Sequence, residues 1–238
     1  MYTSTYRVYF TIPNLFQPVL AIIAAMNLRE KAQFLASISL FSGQNEDSFL
    51  QIAKYFQALN LPSKSLFIVE DTVGDKVYFI VSGLIRVFHS QEAGKDITIN
   101  FRARGDVVGE LALIEDNVRT ANVETVEDSV FLTIDKESFH QLLQIFPQVS
   151  LNFLKLLSQR LREDLKIQIT KENTQLPDRA YDLLKKLAGY YPDADIPFSH
   201  EELSAFVNAT QPRVTEALHL LQSEQKISLF RRKIRLLN

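Results

Sequence analysis

Residues 105–121 run GDVVGELALIEDNVRTA. Within this stretch stand two glycines, the carboxylate Glu110, a short apolar run and the arginine Arg119. Arginine stays protonated at physiological pH and presents planar, paired donors, which suits it to an anion. Backbone N–H groups at a helix start add further donors, because none has an intrahelical acceptor. Glycine at 109 lets the backbone come close to whatever is held there. No histidine or cysteine accompanies the Glu110 and Arg119 pair, and one such pair supplies no general acid–base couple. The stretch therefore reads as a binding element, and the chain is expected not to be an enzyme.

Around this stretch the sequence has the period of short strands. Candidates are 66–70, 76–81, 84–89, 96–101, 120–126 and 129–134. Five of the seven glycines fall between Gly74 and Gly109, at the strand boundaries. Closely spaced strands with turn residues between them predict a β-roll or barrel. In one strand Ile97, Ile99 and Phe101 alternate with Thr98 and Asn100, which predicts burial of the first set. Upstream, 27–41 and 46–56 have helical periodicity, with a turn at 42–45.

Downstream the helical period returns. A short helix is expected over 136–144. Pro147 restarts the chain, and 148–170 reads as one long helix. Leu154, Leu157, Leu161, Leu165 and Gln168 follow at spacings close to a coiled-coil seam. Val149, Phe153 and Leu156 form a second stripe that can face the β-roll. Two apolar stripes need two partners. The first is assigned to a second copy of the chain; the alternative is a helix sandwiched inside one monomer. A polar hinge over 174–177 ends in Pro177, and 178–189 reads as a helix. Ser199 and Glu202 form a capping-box pattern, opening a helix with Leu203, Phe206 and Val207. Asn208-Ala209-Thr210 is a tight turn. Thr210 is expected to cap a second helix with Pro212 in its first turn and Val214, Ala217, Leu218 and Leu221 buried. Two short helices across such a turn make a helix-turn-helix. Segments 227–229 and 234–237 flank Phe230-Arg231-Arg232-Lys233, a hairpin with a basic tip.

The motifs and their order resemble the Crp/Fnr family of transcription regulators. Gly109-Glu110-Leu111-Ala112-Leu113, a spacer and Arg119-Thr120-Ala121 are similar to the phosphate-binding cassette of cyclic-nucleotide-binding domains. The resemblance runs from Met26 to the C-terminus. It implies an α+β protein: an N-terminal β-roll of the jelly-roll type, a long dimerisation helix and a C-terminal winged helix-turn-helix. The expected divisions are an extension over 1–25, a sensor over 26–146, the dimerisation helix and hinge over 147–173, and a DNA-binding domain over 174–238. The resemblance implies a transcription regulator controlled by a cyclic nucleotide, cyclic AMP first and cyclic GMP second. Arg119 and Thr120 would hold the phosphate and Glu110 the ribose, where it can accept from the 2′-hydroxyl. Gly109, Leu111 and Ala112 would lend backbone groups. Implied partners are double-stranded operator DNA, a second copy and RNA polymerase, in the cytoplasm and without a membrane.

The chain departs from the family at the base. Relatives that sense cyclic AMP place two adjacent hydroxyl residues on the long helix, and ungapped alignment puts Asp164 and Leu165 there. Asp164 either accepts from a purine or is a solvated helix charge, and Arg160 either lies near the pocket or faces solvent. On the reading helix the exposed positions are Gln211, Pro212, Arg213, Thr215, Glu216 and His219. Glutamine and arginine suit adenine and guanine edges, and glutamate can accept from cytosine. The family carries arginine where this chain has Gln211 and Glu216, so a different operator is expected. Arg231, Arg232 and Lys233 in the wing suit phosphates; Lys185 and Lys186 either join them or are solvated. Two other readings stay open: a ligand-independent regulator with a vestigial sensor, and a nucleotide-binding module whose C-terminal domain contacts protein.

Composition bounds these expectations. With 26 Lys and Arg against 28 Asp and Glu, the net charge is −2, so a DNA role rests on local clusters rather than the total. The absence of cysteine excludes disulfides, thiolate iron–sulfur clusters and thiol redox sensing. His89 is read as a strand histidine rather than a haem ligand, and no metal is expected. Residues 8–28 carry no charge, but Thr11, Pro13, Asn14, Gln17 and Pro18 interrupt any membrane helix, and Arg7 alone is a poor basic start for a signal peptide. Residues 1–25 are read as an extension of unknown role, with Met26 as the natural start.

Overall fold

The computed structural model describes residues 7–8, 26–90, 96–171, 175–191 and 195–237; of 7–8 and 163–171 it describes the backbone alone. The chain separates into two compact units: Met1–Val87 with Asn100–Arg162, and Phe88–Ile99 with Glu163–Asn238.

In the first unit two sheets carry the β-roll. One has the order β1 (Arg7–Val8), β3 (Ser65–Ile68), β8 (Asn122–Thr125), β5 (Ile85–Ser90) and β6 (Asp96–Arg102), whose far ends belong to the second unit; the other runs β2 (Gln57–Leu61), β9 (Ser129–Asp135), β4 (Lys76–Ser82) and β7 (Val107–Val108). The run VYFIV in β4 is apolar throughout because it is covered on both sides. Tyr78 and Ile80 pack between the sheets with Ile68, Ile85, Val108, Val123 and Phe131. Val77 and Phe79 point the other way, with Leu132, Ile134 and Val107, into a helical layer. That layer holds α1 (Leu28–Ala36), α2 (Glu46–Ala53), α4 (Lys136–Ile145) and the start of α5 (Pro147–Lys171). The two-residue side-chain period of a strand thus feeds two cores at once.

Three expectations are corrected here. The helix expected over 27–41 is broken: Ser37 donates its hydroxyl to the Phe34 carbonyl (2.6 Å), Ile38 is extended, and a 3₁₀ turn over Ser39–Phe41 follows. The helix expected over 46–56 ends at Ala53, and QALNL becomes strand β2, its residues paired from Gln57↔Thr133 to Leu61↔Ser129. Residues 54–56 turn the chain out of the helix and into the ladder. In β6 the alternation fails: Ile99 is exposed whereas Asn100 is buried, its side chain accepting from the Phe101 amide (2.9 Å).

Helix α5 divides its sides largely as expected. Val149 and Phe153 are fully buried and Leu156 packs beside them, whereas Leu151, Leu154 and Leu161 stand out from the chain. Leu157, assigned to the outer seam, is partly buried against the same inner core. Leu165 and Gln168 lie outside the residues whose side chains are described.

The second unit holds α6 (Leu176–Ala188), α7 (His200–Phe206), α8 (Gln211–Ser223) and the hairpin β10 (Ile227–Phe230) and β11 (Lys233–Leu236). Pro177 lies inside the first turn of α6 rather than in a hinge, where its missing N–H costs nothing. Residues 172–174 lie outside the described residues. The capping box between Ser199 and Glu202 is present, and Asn208 takes a left-handed φ of 52° in the turn. Thr210 is the N-cap residue of α8 but makes no side-chain capping bond. Ile196 forms an isolated antiparallel bridge to Ile234 beside the wing hairpin. Among the described residues no helix is long and apolar enough to cross a membrane.

Candidate functional site

The turn into α3 (Glu110–Ile114) is built on Gly109, which takes a left-handed φ of 82° as the N-cap. A side chain there would bring a Cβ to 2.5 Å from Arg119 Nη1. Opposite, Gly74 leaves room of the same kind, since its Cβ would lie 2.8 Å from Arg119 Cζ and 2.9 Å from the Ala112 Cβ. Two glycines therefore clear the space that the guanidinium occupies. The backbone of Arg119 is pinned as well. Its N–H donates to the Thr72 carbonyl (2.8 Å), and its carbonyl accepts from Asp71 (3.0 Å).

The Arg119 side chain is 5% exposed. Nη1 donates to the Gly109 carbonyl (2.6 Å) and Nη2 to the Lys76 carbonyl (2.8 Å). The carboxylate nearest it is exposed Asp75, 3.9 Å away. Burial lowers its pKa, and Tyr78, Asp75 and Glu110 oppose that. The charge persists regardless, because a guanidinium does not deprotonate in proteins. It is thus a buried cation that two carbonyls orient but do not neutralise. That is what an anion site needs, and a guanidinium has donors beyond those two.

Glu110, 4% exposed, is partnered from the long helix. Arg160 Nη1 donates to its Oε1 (2.6 Å), while Nη2 reaches the Val107 carbonyl (2.8 Å). Burial pushes the Glu110 carboxyl above the usual range, against the pull of Arg160 and the smaller pulls of Arg102 and Arg119. Of the two readings of Arg160, a place beside Glu110 rather than in solvent is the one observed. The signal was present in the sequence: Arg160 follows Phe153 by seven residues, two helical turns along the stripe that faces the roll. Gly74 carried no such signal, because its role depends on where Arg119 folds. Ala112 is buried, whereas Leu111 and Thr120 are exposed beside the same turn. The side chain of Asp164 lies outside the described residues, as does that of Leu165.

On the helix-turn-helix, Gln211, Pro212, Arg213, Glu216 and His219 are exposed along α8. Thr215 is half-buried, its Oγ1 3.0 Å from His200 Nδ1. Arg231 and Arg232 form the turn between Phe230 and Lys233, which pair across it, and all three basic residues are exposed. Lys185 is ion-paired with Asp182 (2.6 Å) within α6.

Residues 58–146 match the cyclic nucleotide-binding domain family. The cyclic AMP receptor protein of Thermus thermophilus is 30% identical over 192 residues, covering 80% of this chain and 88% of the relative. The crystal structure of Thermus thermophilus catabolite activator protein superimposes with a TM-score of 0.52 at 27% identity, over 84% of this chain and 93% of that one. The c-di-GMP responsive global regulator CLP of Xanthomonas campestris shares the fold at 19% identity, with a TM-score of 0.69, over 82% of this chain and 100% of that one. With a cyclic-nucleotide-binding β-roll joined to a winged helix-turn-helix, and kinship across four-fifths of its length, this chain belongs to the Crp/Fnr family of transcription regulators.

Proposed function

We propose that the chain binds operator DNA under the control of a cyclic nucleotide held between Gly109 and Thr120, with cyclic AMP the first choice and cyclic GMP the second. The observation that carries this is Arg119: a buried guanidinium, kept in place by two carbonyls and two glycines, whose nearest carboxylate is the exposed Asp75 at 3.9 Å. Arg119 and Thr120 serve the phosphate, and the amides of Leu111 and Ala112 add donors. Glu110 accepts from the ribose 2′-hydroxyl, and Asp164 approaches the base. On the DNA side Gln211, Pro212, Arg213, Thr215, Glu216 and His219 meet the major groove. Arg231, Arg232 and Lys233 meet phosphates. Functional domains over 26–146, 147–173 and 174–238 suit this division of labour. A second copy packs on the outer face of α5, and RNA polymerase is the further partner in a cytoplasmic, non-catalytic role.

Arg160 supplies the link. It lies on α5 and holds the same carboxylate that a ribose would use. Ligand that draws on Glu110 changes what α5 is tied to, and the balance of states at the dimer face shifts with it. Calorimetry on the full chain with cyclic AMP, cyclic GMP and cyclic di-GMP tests the pocket. One nucleotide is expected to bind, and Arg119→Ala to weaken it about 10- to 100-fold, as expected for a lost charge-assisted contact. Equal binding by the variant would sink the assignment. The Glu110–Arg160 pair also favours a second reading, in which the site is satisfied from within and the regulator ignores nucleotides. Operator binding that none of the three nucleotides alters would establish that one.

A further inference from the structure

The helix-turn-helix contains a polar contact that its apolar core does not require. His200 opens α7, and its Nδ1 lies 3.0 Å from the hydroxyl of Thr215, in the second turn of α8. The ring of His219, one turn further along α8, stands edge-on to His200 with centroids 6.4 Å apart. Thr215 is thus the half-buried member of an otherwise exposed reading face, and its one hydroxyl is shared with an imidazole.

We propose that His200 is a positioning residue for operator reading: it fixes the Thr215 hydroxyl and decides whether that hydroxyl offers DNA a lone pair or a hydrogen. The inference rests on the DNA-binding role proposed above. An imidazole whose Nδ1 is unprotonated takes the threonine hydrogen, and Thr215 can then only accept, as an amino group of adenine or cytosine requires. An imidazole protonated at Nδ1 donates instead. The threonine hydrogen is then free for guanine or thymine O and N acceptors. A doubly protonated ring always donates, so acid enriches the second state. Burial, then the neighbouring His219, lowers the His200 pKa in the free protein. The other charged groups of these two helices nearby in sequence are Glu201 and Glu202 on α7 and Arg213 and Glu216 on α8. Glu202 is folded back on Ser199 (2.8 Å to its amide, 2.7 Å to its hydroxyl).

The test uses the full chain and a duplex that it retains from a random-sequence pool with cyclic AMP and cyclic GMP present. Affinities are measured for every single-base variant of that duplex, at about pH 5 and about pH 8, the lower value set well below an ordinary histidine pKa because that of His200 is depressed. At one base position Thr215→Ala and His200→Ala are expected to lose about tenfold in discrimination. The double variant should lose no more than either single one, as for residues acting as a unit. His200→Gln, which keeps a hydrogen-bonding group but cannot titrate, should hold the discrimination and abolish its pH dependence. It also serves if His200→Ala unfolds. A uniform loss across all duplexes in both His200 variants would overturn the positioning role, as would unchanged discrimination. Failure of the wild-type chain to retain any duplex would overturn the DNA-binding reading itself.

Discussion

At the scale of the residue, Glu110 and Arg160 pose opposite problems that solve each other. A carboxylate this deeply buried loses its hydration, and the guanidinium returns part of that through a 2.6 Å contact. Arg160→Met leaves the carboxylate unpaired. It is expected to cost about 3 kcal/mol of stability near neutral pH, the usual scale for breaking a buried pair from one side. The sign with pH follows from linkage. Burial raises the folded pKa of Glu110 above its unfolded value, so the folded state holds the proton more tightly. Stability contributed by this group then falls as pH rises through that interval. Loss of Arg160 raises the folded pKa further. Urea unfolding should show the variant penalised more at about pH 8 than at about pH 5, and an equal penalty at both would count against the pairing. The sequence alone brought out Glu110 and Arg119 because residue type and spacing carry their chemistry. It left Arg160 between two alternatives, although its heptad spacing from Phe153 held the answer. Gly74 was visible only as a turn glycine, since its neighbour in space is 45 residues away along the chain.

At the scale of the element, the cassette depends on the backbone at Gly109. Alanine there must adopt a left-handed φ and also push its Cβ against Arg119 Nη1 and, at 3.1 Å, Ile68 Cδ1. Gly109→Ala is expected to cost at least about 1 kcal/mol from the backbone alone, and to weaken nucleotide binding as Arg119 is displaced. Thermal unfolding and calorimetry on the same sample check both, and an unchanged melting temperature would refute the strain. Elements were legible to different degrees. The capping box of α7 and the basic hairpin were readable because their signals are local. Strand β2 was not. QALNL resembles helix, and only its partner β9, some 70 residues on, makes it a strand. The continuous VYFIV run marked β4 as apolar, but not that its two faces serve separate cores.

At the scale of the whole molecule, the outer side of α5 is the feature that asks for company. Leu154 and Leu161 are more than 60% exposed, and apolar side chains aligned on one helix face commonly meet a second copy. Leu154→Asp combined with Leu161→Asp should convert a dimer to a monomer in light scattering while leaving the circular dichroism unchanged. A wild-type chain already monomeric at high concentration would refute the seam. Arg160 holds Glu110, and the next residue, Leu161, faces outward to the proposed partner. A helix cannot turn one without turning the other. If nucleotide and second copy bind as proposed, a tighter grip between copies alters the hold on the ligand, by the same factor in each direction. The cell then has a second dial beside the level of its signal. A scarce regulator, mostly single, and an abundant one, mostly paired, would answer the same nucleotide concentration differently. The threshold of the response would be written in the dose of the protein itself.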